Sequence, residues 1–302
     1  MKKIAVITTA FGYGLENCKE TYASLFAEEG LKAWYCTREE LLSSPNGVEG
    51  IIVGVEKADD ELFSTCKQTQ VAMKFGVGMD NFDKISARDH NIRLANLPGI
   101  NSDAVAEMTL ALMLTVSRRI VELHQSCIEG SFNQICSHSI MGKTLGIVGL
   151  GSIGVKVARL AKAFSMRCIG FDLMPYDGDD IEQVSLETLL AESDIITIHI
   201  PLTLENYHYF DAKVLCKMKK GAIILNTSRG GIVDEVALAR YLQNGHLAGA
   251  GIDVFESKKA VSALLSCPQA VCTPHVAAYT HETLRNMEKT IIKKISQLLY
   301  QK

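Results

Sequence analysis

A glycine-spaced turn sets the tightest limit on how this chain folds. Gly149-Leu150-Gly151-Ser152-Ile153-Gly154 follows a strand-like run at 144–148 and leads into a helix-forming stretch at 155–164. An acidic residue, Asp172, stands 18 positions beyond Gly154, at the close of the next strand-like run, 167–171. Strand, GxGxxG turn, helix, strand and acid in that order form the arrangement that holds a dinucleotide. Gly149 permits the tight turn, Gly151 lets backbone approach a pyrophosphate, and Gly154 lets the helix pack closely on the strand. The helix N-terminus that follows the turn residues Ser152 and Ile153 adds partial positive charge. Asp172 can accept from ribose hydroxyls and repels a 2′-phosphate, and Leu173-Met174 beside it supplies no arginine, so NAD is expected over NADP. A glycine-rich turn with a capping aspartate is the competing reading, and the flanking elements weigh against it.

Strand-like and helix-like segments alternate around this turn. Runs at 3–8, 51–55 and 71–75 read as strands, 17–29 as a helix stopped by Gly30, and Ser102 or Asp103 caps a long helix that stays apolar to Arg118. Further strands are expected at 195–200, 222–226, 249–254 and 271–273, and a terminal helix at 282–300 carries Leu284, Met287, Ile291, Ile295 and Leu298 at helical spacing. The fold class is therefore α/β, with two Rossmann- or flavodoxin-like doubly wound parallel-sheet domains, one opening at residue 3 and one at 143. The 302 residues suit two domains of the usual roughly 100–200 residues.

Charge and composition exclude whole classes of function. With 31 Lys+Arg against 34 Asp+Glu the chain has no basic field to hold a nucleic acid. The longest helical apolar stretch, 104–116, contains Glu107 and is short of the ~20 residues of a membrane span. The apolar run behind Met1-Lys2-Lys3 is too short for a signal peptide. Nine cysteines without a CxxC pair are expected to be reduced thiols in a cytoplasmic protein, and no histidine has metal-ligand spacing.

Two further stretches carry chemistry. In Asn226-Thr227-Ser228-Arg229-Gly230-Gly231 an arginine follows a strand, where open α/β sheets bind ligands, and its guanidinium can grip a carboxylate through two parallel hydrogen bonds. A structural ion pair with Asp234 or Glu235 is the alternative. In Thr273-Pro274-His275-Val276-Ala277 a histidine stands just past the last strand, and its value comes from the company of Arg229.

Taken together these stretches resemble the D-isomer-specific 2-hydroxyacid dehydrogenases over nearly the whole chain. The resemblance rests on GVGMDN at 76–81, NLPGIN at 96–101 with Val105-Ala106-Glu107, the GLGSIG turn, HIPLT at 199–203, NTSRGGIVDE at 226–235, GIDVFE at 251–256 and TPHVAAY at 273–279. The GVGMDN segment is most similar to phosphoglycerate dehydrogenase-like members. The resemblance implies a discontinuous substrate domain, residues 1–98 and 277–302, with an NAD domain at 99–276 and a homodimer that uses the 102–119 helix. It implies that Arg229 binds the substrate carboxylate and carbonyl, and that His275 gives the proton in 2-oxo acid reduction and takes it in 2-hydroxy acid oxidation. Asp253 is implied to hold the nicotinamide amide, the amides of Gly76, Val77 and Gly78 to hold the carboxylate, and Pro201, Thr227, Ser228 and Ala277 to line the cofactor.

Two departures from the family pattern stand out. The family motif DVFExEP places a second glutamate where this chain has Lys258, and that glutamate pairs with the histidine. A lysine there favours neutral imidazole, which weakens the acid, and losing such a partner typically costs ~10²–10⁴-fold. Glu256, two residues earlier on an expected strand end, is the candidate substitute. Where many members carry an Arg-Ser pair, this chain has Gly54-Val55-Glu56-Lys57, which removes an arginine anchor for a phosphorylated substrate and leaves Lys57 as the candidate replacement. The leading expectation is an NAD-dependent oxidoreductase acting on a small 2-oxo or D-2-hydroxy acid. The alternatives are a catalytically weak NAD(H)-binding regulatory protein, or altered chemistry at Lys258.

Overall fold

Apolar runs without alternating polarity become strands buried on both faces, as parallel sheets require. A computed structural model describes residues 1–301, and the backbone alone of Lys258, Lys259 and Ala260. The chain divides into two compact units, Met1–Asn101 with the segment from Tyr279 onward, and Ser102–Ala278.

In the first unit β1 (Lys2–Val6), α1 (Cys18–Glu28), β2 (Leu31–Tyr35), α2 (Arg38–Ser43), β3 (Val48–Val53), α3 (Asp60–Thr65), β4 (Val71–Lys74), α4 (Lys84–Asp89) and β5 (Arg93–Ala95) alternate. The strands form a parallel sheet of order β2-β1-β3-β4-β5, whose switch point lies between β1 and β3. Side-chain oxygens of Thr37, Asp59 and Asp83 cap α2, α3 and α4.

The second unit holds α5 (Ser102–Ser117), α6 (Ile120–Ile128), β6 (Thr144–Val148), α7 (Ser152–Lys162), β7 (Arg167–Phe171), β8 (Glu182–Gln183), α8 (Leu186–Glu192), β9 (Ile195–Ile198), α9 (Ala212–Leu215), β10 (Ile223–Asn226), α10 (Glu235–Gln243), β11 (Gly249–Ile252), α11 (Lys258–Leu265) and β12 (Ala270–Cys272). Its parallel sheet runs β12-β11-β10-β9-β6-β7-β8, doubly wound about β6 and β9. The apolar length of α5 is explained by packing inside this unit. A Cβ on Gly249 would lie 2.4 Å from Val116 Cγ1, and one on Gly251 would lie 3.1 Å from Leu112 Cβ, so two bare positions on β11 seat the helix.

The last helix, α12 (His281–Tyr300), is capped by Thr280 and buries Leu284, Met287, Ile291 and Ile295 in the first unit. Leu299 is buried while Leu298 is only partly so, a shift of one position from the expected stripe.

Two expectations are corrected. The helix after the glycine turn begins at Ser152 and not at 155, with Gly151 as its N-cap. Its third residue must be glycine, because a Cβ on Gly154 would stand 2.1 Å from Gly149 O. The strand expected to run to 254 ends at Ile252, so Glu256 and Lys258 do not share a strand face, and Lys258 opens α11. Among the described residues no helix is long and apolar enough to cross a membrane, and no group of side chains could hold a metal ion.

Candidate active site

The glycine turn sits at the carboxyl end of β6, where the sheet changes direction. Gly149 has φ +98°, and a Cβ there would lie 2.7 Å from His199 O, so the turn closes against the end of β9. Above Gly151 no atom lies within 4 Å of a would-be Cβ, which leaves an open cradle at the N-terminus of α7, beside Ser152 and Ile153. Asp172 is drawn to the same turn, its carboxylate accepting from Leu150 N at 2.7 Å and Met174 N at 3.0 Å. Bare cradle, helix N-terminus and ribose-side carboxylate suit a dinucleotide. Pro201 O, in the loop after β9, accepts from Asn206 Nδ2 at 2.7 Å. His199 is neutral, its pKa pushed down to about 3 by burial, with Nε2 2.9 Å from Thr197 Oγ1.

At the far half of the sheet two turns are built as one frame. Asn226, last in β10, folds the arginine turn with its own side chain, Nδ2 donating to Arg229 O at 2.9 Å and Oδ1 accepting from Ser228 N at 3.1 Å. Thr227 Oγ1 lies 3.0 Å from Thr109 Oγ1 of α5, and the Arg229 guanidinium donates to Ser228 O at 2.7 Å. One strand over, Asp253 N donates to Asn226 O at 2.9 Å, while Asp253 O accepts from His275 N at 2.8 Å. The fully buried Asp253 carboxylate accepts from Thr273 Oγ1 at 2.6 Å, Val276 N at 2.9 Å and Ala277 N at 3.0 Å. These bonds hold His275 at φ +57°, in the left-handed region that a side chain disfavours. The carboxylate expected at the nicotinamide amide therefore grips the histidine turn.

The loop between β11 and α11 answers the question about Glu256. Its carboxylate accepts from Tyr207 Oη and lies 2.8 Å from His208 Nε2, contacts that hold it below the usual carboxylate range. Glu256 is thus an anchor for its loop, tied to His208, which no local pattern marks out. Gly230 makes the approach possible, since a Cβ there would lie 2.2 Å from Phe255 C. The Lys258 side chain lies outside the described residues. Asp234 caps α10, and Glu235, 2% exposed, accepts from Glu256 N at 2.9 Å. Burial pushes the Glu235 carboxyl up to about 7. Nearby Cys272 is pushed up to about 11 by burial, which disfavours its thiolate, and Cys267 is buried.

In the first unit Gly76, Val77 and Gly78 follow β4, with Gly76 at φ +139°. Lys74, the last residue of β4, was passed over as part of an apolar run. Its ammonium donates to Asn81 Oδ1 at 3.0 Å and to Gly54 O, tying the two loops together. A lone charge closing an otherwise apolar strand was the available signal. A cavity of about 680 Å³ opens at the carboxyl ends of β1 to β3, lined in part by Thr8, Thr9, Tyr35, Glu56 and Lys57.

A doubly wound sheet with a glycine cradle on one half and bonded arginine and histidine turns on the other defines a dinucleotide-dependent oxidoreductase. Residues 110–277 match the family described as D-isomer specific 2-hydroxyacid dehydrogenase, NAD binding domain. A glyoxylate reductase of Thermococcus litoralis is 38% identical over 273 residues, 85% of this chain and 82% of that protein. A hydroxypyruvate reductase of Thermotoga maritima is 34% identical over 287 residues, 92% of this chain and 94% of that one. Among solved structures, D-lactate dehydrogenase from Aquifex aeolicus, complexed with NAD and lactic acid, matches with a TM-score of 0.85 at 27% identity, covering 98% of this chain and 94% of that one. The chain belongs to the D-isomer-specific 2-hydroxyacid dehydrogenase family and is an NAD-dependent enzyme of that family.

Proposed function

We propose that the chain interconverts a small, unphosphorylated 2-oxo acid and its D-2-hydroxy acid, with glyoxylate and hydroxypyruvate as first candidates. The names of the two relatives support this range, as does the lack of an Arg-Ser pair in the stretch Gly54-Val55-Glu56-Lys57. The observation that carries the mechanism is the Asp253 N to Asn226 O bond, which builds the arginine and histidine turns into one frame. Bound NAD supplies the ring carbon that gives or takes a hydride. Arg229 grips the carboxylate and polarises the carbonyl, and His275 moves the proton at the substrate oxygen. The amides of Gly76 to Gly78 add donors for the carboxylate, so residues 1–98 with 277–302 serve as substrate domain and 99–276 as cofactor domain. Asp172, followed by Leu173-Met174, favours NAD over NADP. A lysine at position 258 favours the neutral imidazole where the family's glutamate favours the cation. A homodimer is supported by the exposed apolar side chains Ile120, Val121, Ile128 and Phe132, and sedimentation equilibrium reads it directly.

NADH consumption against glyoxylate, hydroxypyruvate, pyruvate and phosphohydroxypyruvate tests the reading, with wild type and Lys258→Glu side by side. One of the small acids is expected to exceed the phosphorylated one in kcat/KM by at least about tenfold, about 1.4 kcal/mol. A wild type that binds NADH and turns over none of them, beside an active Lys258→Glu, would return the protein to the regulatory reading.

A further inference from the structure

Hydrogen counting at the arginine turn assigns a role to a residue of α5. Thr109 is fully buried, and its hydroxyl has one hydrogen to give. That hydrogen goes to Val105 O at 2.8 Å, an oxygen that can only accept. In the 3.0 Å contact between Thr109 Oγ1 and Thr227 Oγ1, the donor is therefore Thr227. Ser228 is committed in the same way, its hydroxyl donating to Asn226 Oδ1 at 2.7 Å. The orientation of the Asn226 carboxamide is set by Nδ2 donating to Arg229 O at 2.9 Å. Both hydroxyls of the turn have given their hydrogens to the protein and offer only lone pairs to a ligand.

A group that meets these two hydroxyls must be a donor, and a phosphate or carbonyl oxygen set against them is repelled. The glycine cradle and Asp172 stand at β6 and β7, while the turn stands at the end of β10, across the switch point. A dinucleotide laid across that point has its nicotinamide half on the β10 side. On the NAD reading above, the donor of that half's reacting ring is the carboxamide N–H₂.

We propose that Thr109 is a positioning residue for the cofactor: by accepting the Thr227 hydrogen it makes the 227–228 turn an acceptor pair that selects the nicotinamide carboxamide. Isothermal titration of NAD⁺ and of 3-acetylpyridine adenine dinucleotide, which carries a methyl ketone in place of the carboxamide, tests it on four proteins: wild type, Thr109→Val, Thr109→Ser and Thr227→Val. Wild type and Thr109→Ser are expected to prefer NAD⁺ by about tenfold in Kd, one well-made hydrogen bond. Thr109→Val lets the Thr227 hydroxyl swing round and is expected to cut the ratio below about threefold, chiefly by weakening NAD⁺. Thr227→Val removes the acceptor and must cut it equally, which keeps the test sharp should Thr109→Val fail to fold. An unchanged ratio in either valine variant, or no preference in wild type, overturns the proposal. A folded wild type that binds neither dinucleotide overturns the cofactor reading beneath it.

Discussion

Asn226 and Asp253 stand side by side at the ends of neighbouring strands, are 1% and 0% exposed, and each folds one functional turn. What they hold differs. The arginine turn offers Asn226 a carbonyl on one side and an N–H on the other, so a carboxamide, donor and acceptor in one group, fits it. The histidine turn offers Asp253 two N–H groups and a hydroxyl, so an acceptor-only carboxylate fits. The residue type at each position is set by the polarity of the backbone it must satisfy, before any ligand is considered.

Exchanging the two chemistries tests that difference. Asp253→Asn turns an amide N–H₂ toward a backbone N–H, which can only donate, inside a fully buried site, and loosens the turn that holds the left-handed His275. It is expected to lower kcat by about 100-fold, the scale of a misplaced catalytic group. Asn226→Asp sets a carboxylate against Arg229 O but keeps the Ser228 contacts, so a loss of about tenfold is expected. Steady-state kinetics on the pair decides the matter, and a larger loss in Asn226→Asp than in Asp253→Asn would contradict it.

A smaller effect separates a satisfied carboxylate from an unsatisfied one. Unlike Asp253, the buried Glu235 has no hydrogen-bond partner for Oε2 among the described residues, and burial raises its pKa from 4.5 to about 7. The folded chain then keeps a proton that the unfolded chain releases between those values. Stability falls as pH rises through that window, and Glu235→Gln removes the slope. Each pKa unit is about 1.4 kcal/mol, so urea unfolding at about pH 5 and about pH 8 is expected to show wild type losing of order 1–3 kcal/mol relative to the variant. Parallel pH dependences for the two proteins would place the titration elsewhere.

Much of the architecture was legible because its signals are local. The β-branched runs and the glycine turn announce strands and cradle within a short stretch of chain, and Asp172 stands at that turn. The start of α7 was misread because helix propensity puts glycine outside a helix, whereas Gly154 lies within it under the carbonyl of Gly149. The expected strand at 249–254 overruns β11 by two residues, and the alternation argument for Glu256 needs β11 to continue past Ile252. Partners distant in sequence were beyond any local signal. Thr109 and Thr227 are 118 positions apart, and Glu256 and His208 are 48 apart.

The two bare positions of β11 reach further than their size suggests. Gly249 and Gly251 are where α5 rests on the sheet, and α5 carries Thr109 to the arginine turn. A methyl group at Gly249 would meet Val116 Cγ1 at 2.4 Å, and one at Gly251 would meet Leu225 Cδ2 at 2.7 Å and Leu112 Cβ at 3.1 Å, so either addition presses on the seat of the helix that carries the oxygen receiving the Thr227 hydrogen. The seat of a hydroxyl's partner at the arginine turn thus depends on two atoms the chain does without, and a change as small as glycine to alanine in a strand is expected to reach the arginine turn through α5.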